Sequence, residues 1–424
     1  PIYNEDGSYY KYQGKDNALA LLLEPTNHNI NRVVNGSMFL DYEIIKDLTF
    51  HFGAGAEWQE YILGKYTPRT LVAGAALDGT GSEENSTYFR WSTESYLTYK
   101  FKIKEKNAIT AMIGTSNQKD TYEYLKAAGS GFSSDLLTYY NLQGAANYLQ
   151  PQTQKTETKL TSFFSRLNYA FDDKYLASFT IRKDGSSRFG PNNKYGIFPS
   201  GAVAWKLSNE SFIEDLNTFS ELKIRGSYGI TGNDGIGDYS YMNRLVSWGV
   251  TIAPDQFVPG TEPANLANPN LKWEQTAQTD IGLDMGFFNG RLNATIDVYK
   301  KKTTDALLNV PVGGWWGFGT QRLNSGVIEN KGIELGISSD NIRNEDFTWK
   351  TSLNVAYNKQ EIISLADNVK IISTNTSNPS GTVSGQEFTR LEPGKEMAVL
   401  YGYQYDGVVK TGEVYAPQPD SKPG

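Results

Sequence analysis

Apolar and polar residues alternate with a period of two along much of the chain, and helical periodicity is scarce. In "LTFHFGAGAEW", Leu48, Phe50, Phe52, Ala54, Ala56 and Trp58 share one face, opposite Thr49, His51, Gly53, Gly55 and Glu57. "LKIRGSYGIT" sets Leu222, Ile224, Gly226, Tyr228 and Ile230 against Lys223, Arg225, Ser227, Gly229 and Thr231. "LNATIDVY" and "FTWKTSLNVAYN" repeat the pattern. Similar segments lie near residues 36–44, 88–103, 108–115, 162–171, 175–183, 195–207, 280–287 and 332–338. The pattern predicts roughly a dozen strands, many near the ~9–11 residues a tilted strand needs to cross a bilayer.

The connections carry a second signal. Short polar turns are expected at "IKD" (45–47), "KEKN" (104–107), "DDK" (172–174), "NG" (289–290) and "RNED" (343–346). Between them lie long polar, Gly- and aromatic-rich segments at 59–87, 116–157, 184–194, 231–271 and 302–325, read as loops. Tight turns on one side and long loops on the other are the habit of transmembrane barrels; a soluble sandwich gives no reason for it. Tyr169, Phe171, Tyr175, Phe287, Phe288, Phe347 and Trp349 crowd the short-turn ends, where an interfacial aromatic girdle would sit. The fold expected is therefore all-β, an antiparallel transmembrane β-barrel. Its sheet must close, because lipid offers the backbone no hydrogen-bond partner. The apolar face meets lipid, and Arg225, Asp280, Asp284, Asp297, Glu334 and Lys350 line the lumen.

Composition agrees. No run of about 18 apolar residues occurs, which excludes a helical membrane protein. The net charge of −7 argues against nucleic acid as a partner. Cys is absent and His28 and His51 are the only histidines, so no disulfide or Cys/His zinc site is available. The chain starts at Pro1 and stops on "PQPDSKPG"; it is expected to be a piece of a longer precursor.

Several stretches go beyond pattern. They are "RKDGSSRFGPNNKYGIFPSGAVAWKLSNESF" (182–212), "LKIRGSYGITGNDGIGDY" (222–239), "NPNLKWEQTAQTDIGLDMGFFNGRLNATIDVYKKKTTDALL" (268–308) and "NSGVIENKGIELGI" (324–337). In this order they resemble SusC/RagA-type TonB-linked outer-membrane transporters. "LDYEIIKDLTF" (40–50) is a weaker likeness, and "LYGYQYDGV" (400–408) also fits. The resemblance implies a barrel of ~22 strands with a plugged lumen, of which residues 1–424 would be a part of the wall, lacking the N-terminal plug and the final strands. It also implies import of oligosaccharides or peptides across the Gram-negative outer membrane. The implied partners are a SusD-like surface lipoprotein, and TonB acting through the missing plug. An adhesin or surface scaffold that binds a partner through long loops is the alternative.

Local motifs are weighed against simpler roles. "GPNNKYG" lacks the Gly-Lys-Ser/Thr of a phosphate loop, and "TGNDGIGDY" lacks the later Glu of a calcium loop. A loop metal at Asn233, Asp234 and Asp238 is the minority reading beside turn geometry, so neither metal nor cofactor is expected. Asp280 and Asp284 are ~13 Å apart along a strand, too far for paired acid–base work. No Ser/His/Asp set exists: His51 has a lumen position, and His28 sits in a leader segment. No catalytic residue is expected, and a membrane-embedded hydrolase is poorly supported. Pro199 suits a place where a ladder N–H is dispensable, and a bulge is expected near 198–201. In "PVGGWWGFGT", Trp315, Trp316 and Phe318 would stack on a sugar, bind a partner protein or pack under neighbouring loops; Tyr139 and Tyr140 in "LLTYYN" are weaker candidates of the same kind.

Overall fold

A computed structural model describes residues 2–253, 256–366, 369–373, 389–397 and 399–400. Eight strands follow one another in space as in the chain: β1 (Thr26–Ile45), β2 (Leu48–Thr67), β3 (Thr80–Ile103), β4 (Asn107–Phe132), β5 (Ala145–Phe171), β6 (Tyr175–Ser186), β7 (Tyr195–Lys206) and β8 (Phe219–Asn233). β9 (Leu245–Ala253) and β10 (Gln256–Pro263) form a separate hairpin, after which β11 (Glu274–Phe287) and β12 (Leu292–Thr304) rejoin the sheet. A second hairpin, β13 (Leu307–Pro311) and β14 (Thr320–Asn324), precedes β15 (Val327–Arg343) and β16 (Thr348–Ser364), which complete the sheet at twelve strands. Every pairing in it is antiparallel, and β1 and β16 are its edges among the described residues.

The alternation sorts side chains as expected. On one face Val203 is 63% exposed, Ile281 61% and Val298 51%, a band of bare aliphatic side chains that none of the described residues covers. Such a band is stable against hydrocarbon and unfavourable against water. Below it, at the tight-turn end, Tyr175 stacks on Trp205 at 5.9 Å and Phe219 lies 5.1 Å from Phe287. The connection between β7 and β8 on this side is pinned to these aromatics. Glu210 accepts hydrogen bonds from Lys174 Nζ (2.9 Å), Tyr175 Oη (2.8 Å) and Trp205 Nε1 (3.1 Å).

Three expectations are corrected. Segments 59–87 and 116–157 are largely strand rather than loop, because β2 to β5 run on as paired ladders of 20, 24, 26 and 27 residues. Beyond the membrane both faces meet water, so the apolar alternation fades while the backbone ladder continues. The bulge does not fall at Pro199. There the β6–β7 register is unbroken, with Ile181 opposite Pro199, and pairing with β8 starts one residue later at Ser200. Proline instead occupies a bulge at Pro151, where the register shifts from Lys126 opposite Gln152 to Ala128 opposite Leu149. His28 belongs to β1, not to a leader. The 400–408 stretch lies, beyond Leu400, outside the described residues.

Buried apolar clusters gather at the long-loop end. One joins Phe189, Phe198, Ile236, Leu271, Trp273 and Leu307; another joins Tyr66, Phe132 and Ala145. A membrane wall one sheet thick has no interior of its own, so its compact cores form where loops fold over strand ends.

Candidate functional site on the polar face and the long-loop mouth

Arg225 organises the polar face. Facing positions on β8, β11, β12 and β15 are Arg225, Gly282, Asp297 and Glu334. The guanidinium crosses over Gly282, where an added Cβ would lie 2.4 Å from Arg225 Cζ. It reaches Asp280 (3.3 Å), Asp284 (3.2 Å) and Asp297 (2.6 Å), and Lys223 Nζ meets the other oxygen of Asp284 at 2.6 Å. Asp280 and Asp284, too far apart to cooperate directly, are joined through one cation. Each of the three carboxylates is engaged by Arg225, which suits a braced wall and leaves no proton-exchanging pair. Glu334 makes no ion pair among the described residues. Lys350 sits near the 343–348 turn, 3.3 Å from Asp340. Four of the six polar-face candidates thus converge, while Glu334 and Lys350 stand apart.

His51 lies on the same polar face of β2. Its Nδ1 is 2.7 Å from Asp41 Oδ1, and its ring stacks on Tyr96 at 4.4 Å.

At the long-loop end, stretches that seemed to be separate turns interlock. Ser186 Oγ donates to Asp234 Oδ2 (2.7 Å), and Arg188 Nε and Thr158 Oγ1 donate to Asp238 Oδ1 at 3.0 and 2.6 Å. Asn233 donates to Glu274 and accepts from the Gly235 N–H. Phe189 and Phe198 pack on Trp273 at 5.2 and 5.3 Å, and Trp273 Nε1 donates to the Lys194 carbonyl. Burial pushes the Asp238 carboxyl up, but the hydrogen bonds from Thr158 and Arg188 outweigh it and hold the group below the ordinary aspartate value. Among these groups the acidic side chains have protein partners. Arg188 and Thr158, the partners of Asp238, were missed from sequence; the only hint was one cation in "DGSSRFG" against two carboxylates in "TGNDGIGDY".

The loop aromatics divide. Trp315 and Trp316 form the tip of the β13–β14 hairpin and are 87% and 59% exposed, with Phe318 half-buried. The hairpin stem is fastened to the preceding loop: Asn268 Nδ2 donates to the Arg322 carbonyl, and the Lys272 N–H donates to Asn324 Oδ1. The stem is held, while the two tryptophans at the tip stay exposed rather than packed in a core. Tyr140 is 70% exposed, but Tyr139 is buried. Its ring occupies the space a side chain at Gly64 would need, and its hydroxyl is 2.8 Å from His28 Nδ1. Burial, then the hydrogen bond with Tyr140, pushes the Tyr139 hydroxyl up to about 12.

The profile of the family described as TonB dependent receptor-like, beta-barrel matches residues 3–416. The chain belongs to this family. The chain is 37% identical over 414 residues to TonB-dependent receptor P3 of Formosa agariphila, a match covering 97% of this chain and 41% of that protein. To TonB-dependent receptor SusC of Bacteroides thetaiotaomicron it is 34% identical over 376 residues, covering 84% of this chain and 36% of that protein. It superposes on a chain of the RagAB peptide transporter with a TM-score of 0.83 at 29% identity, covering 95% of this chain and 43% of that one. The SusC/RagA resemblance therefore holds along nearly the whole of this chain. The chain spans about two fifths of the length of these relatives.

Proposed function

We propose that this chain is wall and outer-loop architecture of an outer-membrane importer of oligosaccharides or peptides, energised through TonB. The observation that carries the reading is the twelve-strand meander itself, apolar and bare on one face and polar on the other, with the buried clusters of the described residues at the long-loop end. The polar face, with Arg225, Asp280, Asp284, Asp297, Glu334 and Lys350, is the lumen side. Kinship with the RagAB peptide transporter supports the peptide class, and the SusC/RagA resemblance implies the oligosaccharide class and a SusD-like lipoprotein as partner. Deleting the gene should abolish uptake of one glycan or peptide. Normal uptake together with lost surface adhesion would favour the scaffold alternative.

Trp315, Trp316 and Tyr140 are the ligand- or partner-facing aromatics of this reading. Changing Trp315 and Trp316 together to Ala should weaken ligand binding by about 1–3 kcal/mol if the rings stack on substrate, taking the scale of aromatic–base stacking. Unchanged ligand affinity with a weakened lipoprotein contact would assign the two tryptophans to the partner instead.

A further inference from the structure

The apolar face ends on the same residue type in three neighbouring strands. Ala177 of β6 faces Val203 in the bare band, and the outward positions after it are Phe179, Ile181 and then Lys183. Lys183 faces Phe163 of β5; four residues further out on that strand is Lys159, which faces Lys119 of β4. Each of these lysines is the first outward charge above the tight turns on its strand. Phe163, Ile181 and Tyr195 are exposed beside Lys183, and Trp91 of β3, also exposed, faces Lys119. The ledge therefore lies where the apolar band gives way to water on the long-loop side.

Two lysines directly opposite each other destabilise a sheet unless an anion offsets them. Glu157, the next outward residue on β5, meets Lys119 Nζ at 2.6 Å and Lys159 Nζ at 3.0 Å. Among the described residues Lys183 has no ion pair, and its ammonium lies 5.0 Å from the centre of the Tyr195 ring. Three cations against one carboxylate leave the ledge positive. The next pair outward, Lys155 with Glu123 at 2.6 Å, cancels itself. The same device recurs on β12 and β15. Two residues beyond the facing pair Val298 and Ile333, Lys300 faces Lys331, and Glu329 meets them at 2.8 and 2.5 Å.

We propose that Lys119, Lys159 and Lys183 hold the phosphorylated headgroup of an outer-leaflet lipid, whose acyl chains run down the apolar face past Phe163 and Ile181; the proposal rests on the outer-membrane placement. Lysine at such a boundary extends its ammonium into water, which accounts for one cation but not for two set face to face. An anion arriving from the membrane supplies the missing countercharge, and lysine meets phosphate as a point charge. The level of Lys183 is about 13 Å along the strand from Lys159. A headgroup with two phosphates spans that ledge, whereas a single free phosphate reaches one end of it. The exposed side chains below the lysines are apolar, so the occupant is an amphiphile rather than a soluble anion.

The test uses the full-length receptor in detergent, incubated with diphosphoryl lipid A, with native mass spectrometry to count the lipids retained. Wild-type protein should retain at least one. Lys119→Gln, Lys159→Gln and Lys183→Gln together should lower the count by at least one, while the three arginine replacements keep it, since they keep the charge. Resistance of the barrel to SDS without heating reports that each variant is folded. Lipid A stripped of its phosphates should be retained less, and millimolar inorganic phosphate should leave the bound lipid in place. An unchanged count in the glutamine variant overturns the proposal, as does equal retention of the stripped lipid. Displacement by inorganic phosphate also overturns it, by making the ledge a site for a free anion. Membrane fractionation separates the two levels. A receptor found in the outer membrane with an unchanged count removes only the ledge, whereas a receptor absent from that membrane removes the placement beneath it.

Discussion

Gly282 shows how much one missing side chain can organise. Arg225 meets aspartates from two neighbouring strands only because its guanidinium lies flat across the β11 backbone. Gly282→Ala should displace it, strand Asp280 and Asp297 without their cation, and cost about 1–2 kcal/mol, the scale of lost charged hydrogen bonds at a partly exposed site. The check is the temperature at which the barrel loses SDS resistance; an unchanged midpoint contradicts the bracing role. Asp238 makes a prediction about pH. Its folded pKa is depressed, so its contribution is present above the ordinary aspartate value of 3.8 and is lost as pH falls through the lower folded value. Protease cleavage within 231–271 should therefore rise only in that acid window, and Asp238→Asn should open the same loops at neutral pH.

For the strands, a period-two pattern locates the spanning halves well, since lipid on one face imposes the alternation. It stops at the membrane boundary, which is why β3, β4 and β5 extend far above the segments the pattern marked. Proline placement shows the same limit. A dispensable N–H is a sound reading of any strand proline, but whether it is met by a bulge, as at Pro151, or by the start of a ladder, as at Pro199, depends on the neighbouring strand's register. Sidedness can be tested on these elements. A cysteine at Asn289 in the full-length protein should resist an impermeant maleimide on intact cells, and one at Trp315 should react. The opposite result inverts the topology.

Taken as a whole molecule, the described sheet has free edges at β1 and β16. Unpaired backbone in hydrocarbon costs several kcal/mol per group. The twelve strands expressed alone should therefore fail to insert as a monomer into liposomes, while the full-length receptor inserts; an SDS-resistant monomer of the twelve strands would refute this. Sequence by itself determined the strand class, the two faces, the tight-turn side and the family, because each is written in local alternation, turn chemistry and contiguous motifs. Only the tertiary structure decided which charges meet Arg225, that Asp238 is held by Arg188 and Thr158, that Tyr139 is buried while Trp315 is bare, and that Lys119 faces Lys159. The physical reason is that such contacts form between residues tens of positions apart. They depend on register and on loop folding, which no local pattern encodes.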